Sequence, residues 1–211
     1  MTVSSLVDVG VQPDDPRYGR QLRAARVRPA IDGDAAGRAV ADLLRALGRD
    51  PEDEHLRETP RRVADAYREL LTPREFDPTT FPNDSGYHEL VLAREIPMTS
   101  LCEHHMLPFR GVAHVGYLPG GRILGLSKPA RVVELFARDL QAQERLTMQV
   151  ADWLGENLSP RGIGVVIEAE HMCMSIRGVH AAGTRTTTSA MRGLLREDGA
   201  ARREFLGLIR H

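Results

Sequence analysis

The chain has 211 residues, 42% hydrophobic and 27% charged, with a formal net charge of −1. That balance is ordinary for a globular protein and carries no electrostatic footprint for nucleic acid or an anionic membrane surface. No apolar run approaches the ~20 residues of a membrane helix. The opening MTVSSLVDVG lacks the basic-then-apolar order of a secretory signal, so a cytoplasmic location is expected.

Residues 1–30 are rich in Gly and Pro and crowd Arg17, Arg20, Arg23, Arg26 and Arg28 into a short stretch, which reads as a flexible basic arm. A helical region, 31–84, follows. Val40, Leu43, Leu44 and Leu47 recur at helical spacing and Gly48 stands where a C-cap belongs. Thr59-Pro60 opens a second helix, with Thr59 as expected N-cap and Val63, Tyr67, Leu70 and Leu71 on its inner face. PREFDPTTFPND (73–84) reads as a linker. In 85–211 strands are expected at 88–96, 111–118, 162–170, around 173–178 and at 184–191. Between them lie two helices. One starts near Ser127 with Val132, Val133 and Phe136 inward. The other starts near Gln143 with Leu146, Val150, Trp153 and Leu154 inward. ARREFLGLIR closes the chain as a short helix. This order predicts an α+β fold with a mostly antiparallel sheet.

Two short clusters are dense in metal-ligand types: Cys102-Glu103-His104-His105 and His171-Met172-Cys173. Cys102 and His105 are spaced i, i+3, so a tight turn can aim both at one point. His171 and Cys173 are spaced i, i+2 and share a face if that segment is a strand. Thiolate and imidazole together suit zinc. Five candidates compete for four positions. A closed set such as Cys102, His105, His171 and Cys173 is structural, whereas three ligands leave a place for a water whose pKa the metal brings down to about 7. Spacing does not choose between them. Spare histidines favour the open version, because hydrolysis needs a proton acceptor and donor near neutrality. The P-C-x-x-C of nucleobase deaminases and the C-x-x-C of zinc fingers are both missing.

Gly125-Leu126-Ser127-Lys128 with Arg131 begins a helix, and helix-start N–H groups, a hydroxyl and two cations suit an anion; Arg62 is a further cation. On that segment alone a capped surface helix is the better reading, and Glu144 alone is best read as a solvated helix-start carboxylate.

Read together, SLCEHHMLPFRGVAHVGYLP, GRILGLSKPARVVELFARDLQAQERLT and EAEHMCMSIRGVHAAGTRTTTSAMRG resemble the type I GTP cyclohydrolase family over about residues 58–211. The resemblance implies a T-fold catalytic domain whose antiparallel sheets close into a barrel through oligomerisation, commonly a homodecamer of two pentamers with active sites between subunits. It implies conversion of GTP and water to 7,8-dihydroneopterin triphosphate and formate, the entry to folate and pterin synthesis, with no nucleic-acid or membrane partner. It also implies roles. Cys102, His105 and Cys173 would be the zinc ligands, and His104 and His171 the acid/base pair. Glu144 would hold the guanine edge with Gln143 beside it. Ser127, Lys128, Arg131, Arg177 and, more weakly, Arg62 would hold the triphosphate. Asp65 stands where bacterial members often carry a basic residue, and Asp139-Leu140-Gln141-Ala142 departs from their usual Arg-Pro-Gln-Val.

Overall fold

The computed structural model describes residues 30–210; the basic arm, but for Ala30, lies outside them. Helix α1 (Gly33–Ala46) is capped by the Asp32 carboxylate, which accepts from the Ala35 N–H at 2.9 Å. It ends as expected at Gly48, whose φ of +74° closes the turn. Its apolar stripe is barely covered: it packs on α2 (Thr59–Leu71), yet Leu43 and Leu47 are 56% and 66% exposed. In α2 the cap position is Glu58, one residue earlier than expected, and Thr59 is already helical.

The centre is a five-stranded sheet in the order β5-β2-β3-β6-β7, built from β2 (Val91–Cys102), β3 (Pro108–Leu118), β5 (Leu140–Gln141), β6 (Gly162–His171) and β7 (Arg185–Gly193). All neighbours are antiparallel except β5, which runs parallel to β2. A separate two-stranded ribbon pairs β1 (Thr80–Pro82) with β4 (Arg122–Leu124). The α+β class with a mostly antiparallel sheet is as expected.

In β2 the alternation continues well past 96. Ile96, Met98 and Ser100 are buried while Pro97 and Thr99 are exposed, so one strand carries the chain to Cys102. A bulge between Ala93 and Ile96, with Glu95 at φ +54°, absorbs the irregular start. Helices α3 (Lys128–Ala137) and α4 (Gln143–Leu158) cover the face carrying Ile96, Met98, Ala113, Val115, Val165 and Ile167, and bury the inward residues expected of them.

Behind the sheet, α6 (Leu194–Glu197) and α7 (Gly199–Leu208) bring Phe205 onto Gly116 and Gly164, which pair across β3 and β6. A Cβ on either glycine would meet the ring at 2.8 Å. Phe205 is fully buried there with Val166, Met191 and Leu195, and truncating such a ring to Ala costs about 3–5 kcal/mol.

Two expectations are corrected, and two short strands were not foreseen. The segment around 173–178 is not a strand: the chain leaves β6 at His171 and coils into one helical turn, α5 (Met172–Ser175). The supposed linker 73–84 contains β1. The short strands β4 and β5 had no signal of their own, because two or three residues show no period.

Candidate active site

Strand β2 delivers Cys102 to the edge of the helix-covered face, where the chain reverses at once. The N–H groups of His105 and Met106 both donate to the Cys102 carbonyl, at 3.4 and 2.8 Å, and the Cys102 N–H donates to the Leu107 carbonyl at 2.9 Å. Met106 takes φ +54° to close the turn. Cys102 is buried, while His104 and His105 stand exposed. From the other side the bend from β6 into α5 swings Cys173 inward.

The ligand atoms of Cys102, His105 and Cys173 all lie within 4.8 Å of one another, with Cys102 Sγ 3.9 Å from His105 Nδ1. Two thiols and an imidazole fit zinc chemically, and bonds of about 2.0–2.3 Å in a tetrahedral site require ligand atoms roughly 3.4–3.8 Å apart, a small contraction from this arrangement. These three residues could therefore hold a metal ion. Burial, and then the proximity of the Cys102 thiol, pushes the Cys173 thiol above its ordinary value.

His171, the last residue of β6, does not join that group. Its ring stacks on Phe109 with centroids 4.5 Å apart and planes within 6°. Its Nε2 lies 2.8 Å from Gln143 Oε1. Gln143 is 2% exposed, and its Nε2 donates to the carbonyls of Ile167 and Thr186 and to Thr188 Oγ1 at 2.9–3.1 Å. With the amide nitrogen so committed, Oε1 must accept, so His171 Nε2 carries the proton and Nδ1 is its unshared nitrogen. Burial holds the imidazole below its ordinary value, against an opposing pull from Glu144. Glu144 itself is exposed in the first turn of α4. His104 Nδ1 approaches Cys102 Sγ to 3.8 Å, and the rest of the ring faces solvent.

The residues expected at a triphosphate are scattered. Ser127 caps α3 by position, without a side-chain hydrogen bond. Arg62 and Arg177 are exposed on α2 and on the turn after α5. Arg131 bonds Glu134 at 3.2 Å and faces a cavity of about 700 Å³ shared with Arg74, Arg110, Arg138 and Arg185. None of the three possible metal ligands or the two histidines lines that cavity. Beside these segments Leu126, Ile176 and Val179 are 89%, 63% and 72% exposed. Asp65 is held by Arg61 and Arg68 at 3.2 and 3.0 Å.

Two residues without a role in the sequence reading stand beside the metal-ligand turn. Arg145 donates to Glu103 at 2.6 Å, and Glu103 lies between Cys102 and His104.

The family model described as GTP cyclohydrolase I matches residues 36–210. The GTP cyclohydrolase 1 of Mycobacterium leprae is 53% identical over 210 residues, covering 97% of this chain and 98% of the relative. That of Mycobacterium tuberculosis is 53% identical over 191 residues (88% and 94%), and that of Mycobacterium ulcerans 54% over 185 (85% and 92%). Identity above one half over nearly the full length of each relative, together with the family match, leaves one reading: the chain belongs to the GTP cyclohydrolase I family.

Proposed function

We propose that the chain hydrolyses and rearranges GTP to 7,8-dihydroneopterin triphosphate and formate, the first step of folate and pterin synthesis, with zinc as its metal. The observation that carries this is the pairing of a two-thiol, one-imidazole cluster with a histidine whose tautomer is fixed beside it. Zinc held by Cys102, His105 and Cys173 would supply Lewis acidity that makes water nucleophilic near pH 7.

The remaining work belongs to side chains. His171, neutral at pH 7 through burial and locked at Nε2, accepts and returns protons at Nδ1. His104, exposed on the turn, exchanges protons with the purine and with solvent. Glu144 receives the guanine edge at the start of α4, and Gln143 keeps His171 in register beneath it. Ser127, Lys128, Arg131, Arg177 and Arg62 bind the triphosphate and so hold the base over the metal. Asp65 is engaged by two arginines and so is neutralised locally.

The catalytic domain is residues 85–211, a T-fold, preceded by the helical region 31–84 and the arm 1–30. Its assembly is a homo-oligomer, a decamer of two pentamers, whose sheets close a barrel. Exposed Leu126, Ile176 and Val179 next to substrate-binding segments support sites shared between subunits. No described helix is long and apolar enough to cross a membrane, and a cytoplasmic setting with reduced thiols suits the cluster.

Zinc-loaded protein incubated with GTP should release formate and yield a pterin that fluoresces after oxidation. Absence of both products from folded, zinc-loaded protein would sink the proposal.

A further inference from the structure

Cys102 and His105 sit on a turn that is open to solvent from His104 to Met106. A ligand pair on so exposed a turn needs an external brace to stay aimed. Its backbone tie is the Glu103 N–H, which donates to the Gln141 carbonyl at 3.1 Å. Two side chains tie it as well: the Tyr67 hydroxyl on α2 donates to the Met106 carbonyl at 3.0 Å, and Arg145, in the first turn of α4, grips the Glu103 side.

The guanidinium makes three contacts at once. NH2 donates to Glu103 Oε2 at 2.6 Å and to the Leu140 carbonyl at 2.9 Å, and Nε donates to Gln141 Oε1 at 3.0 Å. Gln141 is 1% exposed, and its own Nε2 donates to the Phe136 carbonyl and to Gln149 Oε1 at 2.9 and 2.8 Å. The fork thus refers the turn to a buried amide and, through it, to the end of α3. The second oxygen of Glu103 faces His104 Nε2 at 3.7 Å, so the same carboxylate borders both a metal-ligand neighbour and the exposed histidine. Arg145 is 41% exposed and Glu103 32%, a setting in which an ion pair adds little to global stability. The geometry favours orientation over stability as its purpose. A lysine offers one charge without the planar fork and cannot span the three acceptors.

We infer that Arg145 is a positioning residue for the metal. By clamping Glu103 to the buried Gln141 amide, it preorganises the Cys102–His105 turn for the ion. The inference rests on the zinc reading above.

The test measures zinc affinity by competition with a chromophoric chelator, the absorption spectrum of the cobalt-substituted protein, and urea unfolding in the presence of chelator. Arg145→Met should lose zinc affinity by roughly 10- to 100-fold, the usual range for partners of metal ligands. Its cobalt spectrum should shift, while the metal-free protein loses no more than an unpaired buried Gln141 Oε1 costs, about 1–3 kcal/mol. Arg145→Lys should resemble Arg145→Met, and Glu103→Gln should lose less, because an amide oxygen still accepts. Arg192→Met, which removes the exposed Arg192–Asp152 pair on the far part of α4, should leave zinc binding unchanged. Wild-type zinc affinity and cobalt spectrum in folded Arg145→Met overturn the inference, as does a loss confined to metal-free stability. Should Arg145→Met not fold, unchanged values in both Arg145→Lys and Glu103→Gln overturn it equally. Wild-type protein that binds no zinc removes the zinc reading itself, and the inference with it.

Discussion

The two ends of the substrate site are built on opposite principles. At the proposed metal end the side chains are fixed from within the chain: Cys102 is buried, Gln143 is 2% exposed with its amide engaged, and His171 is stacked and hydrogen-bonded into one orientation. At the proposed phosphate end, Ser127, Arg62 and Arg177 are exposed on three different elements, and apolar Leu126, Ile176 and Val179 stand bare among them. A tightly braced cluster thus contrasts with an exposed set of cations. On the proposed function, the chemistry lies within one fold and the grip on the triphosphate would be completed by a neighbouring subunit.

The sharpest way to break this contrast is at His171. His171→Ala should lower kcat by about 10²- to 10⁴-fold with zinc content unchanged, the range for a positioned acid/base group. Metal analysis beside steady-state kinetics checks it, and loss of zinc with the imidazole would move His171 into the ligand set. Next in size, Lys128→Met or Arg131→Met should raise KM roughly 10- to 100-fold, as for loss of a charge-assisted hydrogen bond, with zinc content intact. Refolding a mixture of Cys173→Ser and Lys128→Met chains should then recover part of the activity. No recovery would mean that a single chain completes the proposed phosphate end.

A smaller effect is expected where the proposed phosphate end is anchored to the core. Glu134 is 14% exposed and accepts from Arg74, Arg131 and Arg138. The Arg74 hydrogen bond, chiefly, holds its carboxyl below the usual range, with Arg138 and Arg131 assisting against the cost of burial. A depressed carboxylate stabilises the fold above its unfolded pKa of about 4.5 and loses that contribution as pH falls through the folded value. Glu134→Gln should therefore cost about 1–2 kcal/mol in urea unfolding at pH 7, and the gap from wild type should narrow as the pH falls below the ordinary carboxylate range. Smallest of all, Asp65→Asn should change KM less than twofold, because Arg61 and Arg68 already neutralise the carboxylate. A larger drop in KM would place Asp65 against the phosphates.

The metal end was legible in the sequence because its residues are chemically rare and closely spaced: cysteine and histidine at i, i+3 announce a turn with a purpose. The long amphipathic helices were legible too, since α4 repeats its apolar positions over four turns. The helical turn at 172–175 was hidden. Met, Cys, Ser and Ile suit strand and helix alike, and the bend is imposed by tertiary packing after β6 ends. Arg145 was hidden for a different reason: its partners Glu103 and Gln141 are neighbours only through the parallel β2–β5 pairing, which no local pattern reveals. The role of Gln143 divides the same way. Sequence resemblance put it beside the guanine, whereas its hydrogen bonds run to His171 and to β6 and β7.

The glycine pair under Phe205 bears on when this protein can fold as well as how. Gly116 and Gly164 leave a slot in the middle strands that only a ring from the far downstream helix fills. Until a ribosome has released residue 205, β3 and β6 present that slot empty and apolar, and their pairing lacks its outer cover. Completion of the sheet is thereby deferred to the end of synthesis, and nascent chains stalled before α7 are the species most exposed to aggregation.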